Sequence, residues 1–200
     1  MIKKNKIRLV VNTHRSYSPN FLFLKKIFEK NKEKPSTIFI NSPSAGIGNM
    51  GSTFFDIAYF FFNTKPKDPG GHGIISFHKN KKLFFDLSEN TGLPYTITIK
   101  SENLEIIVDE INNNFILKQR PNNMKKKPLY FYLFKPKITK LKIKHKFDVV
   151  KMTCFSIREI FKKKFSYQNL DKAISVMGCI FATFASSKES KIVSLPILKK

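Results

Sequence analysis

The chain has 200 residues, 42% of them apolar, so it can bury a real core without disulfide or metal staples. Its formal charge of +23 is carried almost wholly by lysine, since arginine occurs only at Arg8, Arg15, Arg120 and Arg158. Nucleic-acid readers lean on arginine forks, and lysine, asparagine, isoleucine and phenylalanine share A/T-rich codons; the charge therefore reads as genome bias, and a nucleic-acid surface is not expected.

Lys6–Asn12 is a β-branched apolar run and predicts a buried strand. Ser18-Pro19 opens a helix with proline in its first turn, and Phe21, Leu24, Ile27 and Phe28 give it an apolar face. Ser36–Ile40 reads as a second strand. A glycine-rich turn at Ala45–Gly51 then feeds a helix over Ser52–Asn63. Gly73–His78 and Lys82–Leu87 form a predicted hairpin about Lys79–Lys81, followed by strands at Tyr95–Ile99, Leu104–Val108 and Asn114–Lys118. Arg120–Lys127 reads as an exposed loop, Leu129–Phe134 and Ile138–Lys144 as further strand candidates.

Two helices close the chain. The first, Phe147–Phe161, carries Val150, Cys154, Ile157 and Phe161 at helical spacing; the second, Leu170–Ala185, is expected to bury Ile174, Met177, Phe181 and Phe184 or their neighbours. A meander of strands with helices at both ends predicts an α+β fold: an open, mostly antiparallel sheet with helices on one face. One domain over 1–200 is expected, with no internal repeat.

Several chemistries are set aside on spacing. Cys154 and Cys179 lie in predicted helices with no CxxC, so two reduced, buried thiols are expected. His72 and His78 lack a third ligand at matching spacing, so no metal site is assigned. No signal peptide is recognised, and the longest apolar stretch, Phe54–Phe62, is broken by Asp56 and too short to span a bilayer; a cytoplasmic protein without a membrane partner is expected. The chain is read as carrying no G-x-G-x-x-G dinucleotide turn.

Three segments together carry a resemblance. Val10-Val-Asn-Thr-His-Arg-Ser-Tyr-Ser-Pro19, the loop Gly46–Asp56 running into an aromatic helix, and the terminal helix followed by Ser194-Leu-Pro196 resemble, in that order, the C-terminal domain of the Gfo/Idh/MocA sugar oxidoreductases. Leu93-Pro94-Tyr95 and Val108–Asn112 resemble its middle sheet. The resemblance implies that residues 1–17 are the remnant of a crossover from a nucleotide-holding Rossmann domain, and that the cofactor is NAD or NADP, not bound by this chain alone.

In the crossover Arg15 matches the first of two family arginines, and Ser16 replaces the second. The family's loop reads Gly-Gly-x-x-x-Asp-x-Gly-x-His-x-x-Asp, with Asp and His one helical turn apart and the His handling the substrate hydroxyl proton, work suited to imidazole. Here Asn49 stands at the Asp position and Thr53 at the His position, so no catalytic residue is assigned; Arg15, Asn49 and Thr53 are the implied substrate contacts. Asp56 matches the final Asp, read as helix-start structure. Glu33-Lys34-Pro35 spells another family signature but at the wrong place in the chain, and is given no role.

The implied function is the substrate-binding and oligomerisation half of an NAD(P)-dependent sugar or sugar-nucleotide oxidoreductase, truncated or split and inactive alone. A non-catalytic scaffold or sugar-binding protein of the same fold is the alternative, and a binder using lysines between Lys125 and Lys146 a distant third. Partners are expected to be further copies, packed through the sheet, or a separate Rossmann chain. Phe77, Phe84, Ile97, Ile99 and Ile107 are the candidates for that sheet face.

Overall fold

A computed structural model describes residue 7 and residues 14–42, 47–64, 66–69, 73–86, 95–121, 124, 135–162, 168–189 and 193. The predicted strands at Lys6–Asn12 and Leu129–Phe134, and the Leu-Pro ends at Leu93-Pro94 and Leu195-Pro196, lie wholly or almost wholly outside the described residues.

The elements run in the expected order: a 3₁₀ turn at His14–Tyr17, α1 (Pro19–Lys30), β1 (Thr37–Asn41), α2 (Ile47–Phe62), β2 (Pro66–Pro69), β3 (Ile74–Phe77), β4 (Lys81–Asp86), β5 (Thr96–Lys100), β6 (Leu104–Asp109), β7 (Asn114–Gln119), β8 (Lys137–Lys140), α3 (Val149–Arg158) and α4 (Gln168–Glu189). The strands form one sheet in the order β2-β3-β4-β1-β5-β6-β7-β8, antiparallel except where β1 lies beside β4. The fold is thus α+β with an open, mostly antiparallel sheet. β2 escapes the sequence reading because Pro66-Lys-Asp-Pro69 has no strand propensity; as an edge strand it tolerates its prolines.

Period-two alternation sorts the side chains. Ile38 and Ile40 of β1 pair with Leu83, Ile97 and Ile99, and these face inward with Ile75, Phe77, Ile106, Val108 and Phe115. Phe77, Ile97 and Ile99 are therefore core residues, not members of the outer face; a one-residue shift of register would have reversed this. On the outer face a cross-strand row runs Ile74, Phe84, Phe39, Thr98, Ile107, Ile116. Phe39 stacks on Phe84 at 4.8 Å between ring centroids yet stays 40% exposed.

The inner face is covered by α1 and α2. Helix α2 is apolar almost all round, with Phe54, Phe55, Ile57, Ala58, Phe61 and Phe62 buried, because α4 packs on its far side. It begins at Ile47, five residues before the expected start, so the second half of the supposed glycine turn is already helical.

The two terminal helices lie where expected, α3 shorter and α4 extending to Glu189, but turn a different face inward. On α3, Met152 and Ser156 are buried, while Val150, Cys154, Ile157 and, just beyond, Phe161 are exposed. On α4, Val176, Cys179, Ile180 and Ala182 are buried, while Ile174, Met177, Phe181 and Phe184 lie outward. The expectation of two buried thiols holds for Cys179, where burial pushes the thiol up to about 12, and fails for Cys154.

Candidate functional site

The 3₁₀ turn His14–Tyr17 packs against α1, α2 and α3, and its Ser16 meets α2 at Asp56, just past the midpoint of that helix. Asn49 and Thr53 are one helical turn apart on α2. Thr53 is half-buried, and Asp56, nearly a turn further on, is 2% exposed.

Asp56 does not start a helix; it stands in the middle of one, between Phe55 and Ile57. A carboxylate so placed needs a cation and hydrogen bonds. Ser16 Oγ donates to Asp56 Oδ2 at 2.8 Å, and Lys172 of α4 forms an ion pair with Asp56 Oδ1. Lys172 Nζ also donates to Ser16 Oγ at 2.6 Å, closing a cluster that ties the 3₁₀ turn, α2 and α4 together. The resemblance expects a second arginine at position 16; with serine there, the charge comes from Lys172 instead. Sequence reading missed Lys172. The available signal was a lone acid inside an apolar helix and a lone lysine at the start of another.

Arg15 forms the neighbouring pair. Its Nε donates to Glu110 Oε2 at 2.9 Å and its Nη2 lies 2.7 Å from the same oxygen, with both side chains buried. The guanidinium lies between two aromatic rings, 5.2 Å from the Tyr95 centroid and 5.1 Å from that of Phe147. Burial raises the Glu110 carboxyl above its ordinary value despite the opposing charge and hydrogen bond of Arg15. Burial likewise raises the Tyr95 hydroxyl, helped by Glu110 and opposed by Arg15, so the phenol stays protonated across the physiological range. Two of the five guanidinium N–H groups of Arg15 are engaged by Glu110; the residue holds the site's wall while presenting little surface of its own.

Thr53 presents a half-buried hydroxyl nearly one turn before the Ser16–Asp56–Lys172 cluster, and the Arg15 guanidinium is spent on Glu110. Among the described residues no cluster of three metal-ligating side chains occurs. His78 lies exposed in the β3–β4 turn, and His72 is outside the described residues. Glu33-Lys34-Pro35 sits at the start of β1, at the opposite end of that strand, where Glu33 accepts a 2.7 Å hydrogen bond from Asn103 Nδ2; its role is structural.

Gly46-Ile-Gly-Asn-Met-Gly51 does spell G-x-G-x-x-G, and it follows a strand and opens a helix. The dinucleotide motif needs its glycines in a tight turn directly after the strand, so that backbone amides reach the pyrophosphate. Here four residues separate the end of β1 from Gly46, and Gly48 and Gly51 lie inside α2, with Gly51 buried by packing. The strand parallel to β1 is reached only after a hairpin. The spacing is present and the geometry does not fit a dinucleotide.

No described protein family and no curated protein matches the sequence. Solved structures do resemble the fold. An NAD-binding oxidoreductase from Klebsiella pneumoniae superposes with a TM-score of 0.74 at 9% identity, over 98% of this chain and 68% of that one. A putative NADPH-dependent oxidoreductase from Desulfitobacterium hafniense gives 0.71 at 11%, over 97% and 66%. A UDP-N-acetylglucosamine 3-dehydrogenase from Acidithiobacillus ferrooxidans gives 0.64 at 10%, over 92% and 63%. The chain thus spans about two thirds of the length of these NAD(P)-type oxidoreductases and shares the fold of that part. No described helix is long and apolar enough to cross a membrane.

Proposed function

We propose that the chain is the substrate-binding and oligomerisation half of an NAD(P)-dependent oxidoreductase acting on a sugar or sugar nucleotide, with the nucleotide held by a Rossmann domain outside these 200 residues. The observation that carries this is the packing of the 3₁₀ turn against α2, anchored by Ser16 and Asp56 one turn below Thr53. That turn carries Arg15, and the helix it packs on carries Asn49 and Thr53, the three positions proposed to meet a hydroxyl-rich ligand.

NAD or NADP, once supplied by that other domain, would accept or deliver the hydride. This chain's part is to bind and orient the substrate. Threonine at position 53 cannot take the hydroxyl proton as the family's imidazole does, and the nucleotide is held elsewhere, so the 200 residues alone are expected to turn nothing over. The outer row from Ile74 to Ile116, with Ile74 and Phe39 exposed and its other members partly so, supports packing of the sheet against a second copy. A non-catalytic sugar-binding protein of the same fold is the second reading, favoured by the missing histidine.

Calorimetric titration with UDP-N-acetylglucosamine tests the proposal. Saturable binding is expected, weakened about tenfold in Thr53→Val, the loss of one hydrogen bond to a bound ligand. Binding that ignores Thr53, or no binding of that compound or of free sugars by folded protein, would remove the substrate-site assignment.

A further inference from the structure

On α4, Ile174, Met177, Phe181 and Phe184 are 43%, 45%, 67% and 50% exposed and fall at intervals of three, four and three residues. From Ala173 to Ser187 the sequence holds no charged residue, in a chain whose net charge is +23. The inner face of the same helix is already used against α2 and β2. An uncharged outward stripe on so basic a molecule is a surface that is covered.

The spacing fits a second copy of the same helix. Intervals of three, four and three are symmetric about position 179, so a second α4 turned end for end presents the same stripe in complementary order. Ile174 then faces Phe184 of the other copy, and Met177 faces Phe181, a favourable sulfur–aromatic contact. The charges at the ends choose this direction. Asp171 lies in the first turn of the helix and Lys188 in the last, so an antiparallel pair sets acid beside lysine at both ends. A parallel pair would set Asp171 beside Asp171 and Lys188 beside Lys188.

We infer that α4 is the seat of a second copy of this chain, joined through a two-fold antiparallel contact centred between Met177 and Phe181. The inference does not depend on the oxidoreductase reading, and it concerns the helical side of the molecule, away from the outer sheet face.

Sedimentation velocity at low micromolar concentration tests it. Phe181→Glu, on an exposed position, is expected to keep the circular dichroism of the parent and to halve its mass, whether the parent is a dimer or, with a sheet contact as well, a tetramer. Met177→Lys should do the same. Mixing the two variants should restore the parent mass, because Glu at 181 of one copy meets Lys at 177 of the other. A parent that is monomeric, a Phe181→Glu protein of unchanged mass, or variants that fail to recombine would each overturn the inference. A sheet-mediated dimer indifferent to Phe181 would do so while leaving the proposed oligomer through the sheet intact.

Discussion

Asp56 and Lys172 show how one buried charge organises distant parts of a chain. Alone, either would be expensive in the core; together with Ser16 they fix where α4 and the 3₁₀ turn meet α2. Lys172→Met should lower unfolding free energy by about 3–5 kcal/mol in a urea titration, because it strands the carboxylate. The double change Asp56→Leu with Lys172→Met should recover most of that loss. A single variant as stable as the parent would mean that the pair does not anchor the site. Glu105 carries a second charge argument. Burial works to raise it, but hydrogen bonds and charge from Lys118 and Lys100 prevail and hold it below its ordinary value of 4.5. A depressed folded-state value means stability that is present above pH 4.5 and is lost as pH falls through the lower folded value. Glu105→Gln should therefore flatten the acid limb of the stability–pH curve; an unchanged limb would refute the assignment. Glu110, raised by burial, contributes with the opposite sign and leaves the comparison between parent and variant intact.

At the scale of elements, the sequence reads well wherever the pattern is local. Alternation at Leu104–Val108 and Asn114–Lys118 gives β6 and β7 nearly to the residue, and the helix bounds near 149 and 170 are close. The faces of α3 and α4 read less well. Both helices carry apolar residues on more than one side, and periodicity alone cannot tell a stripe packed inward from one presented outward. The same limit sends Phe77, Ile97 and Ile99 to the wrong side of the sheet, since alternation fixes which residues share a face and not which face is covered. One glycine shows what the turns demand. Gly73 takes φ +77°, and a Cβ there would meet the carbonyl oxygen of Phe85. Gly73→Ala should cost about 1–3 kcal/mol in thermal or urea unfolding, from both strain and the clash; a neutral substitution would show that the β3–β4 edge is not held as described.

For the whole molecule, the large exposed side chains define the account. An outer sheet row and a helical stripe are left apolar on a lysine-rich surface, and the candidate site is built where the chain first meets its helical layer. Motif order names Arg15, Asn49 and Thr53 as candidates, whereas Glu110, Tyr95 and Lys172, which pack on Arg15 and Asp56, come from the ends of β6 and β5 and from α4, positions that no local pattern links to them. The spacing of the glycines at 46, 48 and 51 suggests a nucleotide turn, and the placement of Gly48 and Gly51 inside α2 removes it. The central claim, that these 200 residues hold the substrate and not the nucleotide, is tested most directly by calorimetric titration of the folded chain alone with NADH and NADPH. No saturable binding of either is expected. Stoichiometric binding, abolished by Gly48→Val, would contradict it and return the nucleotide to the start of α2.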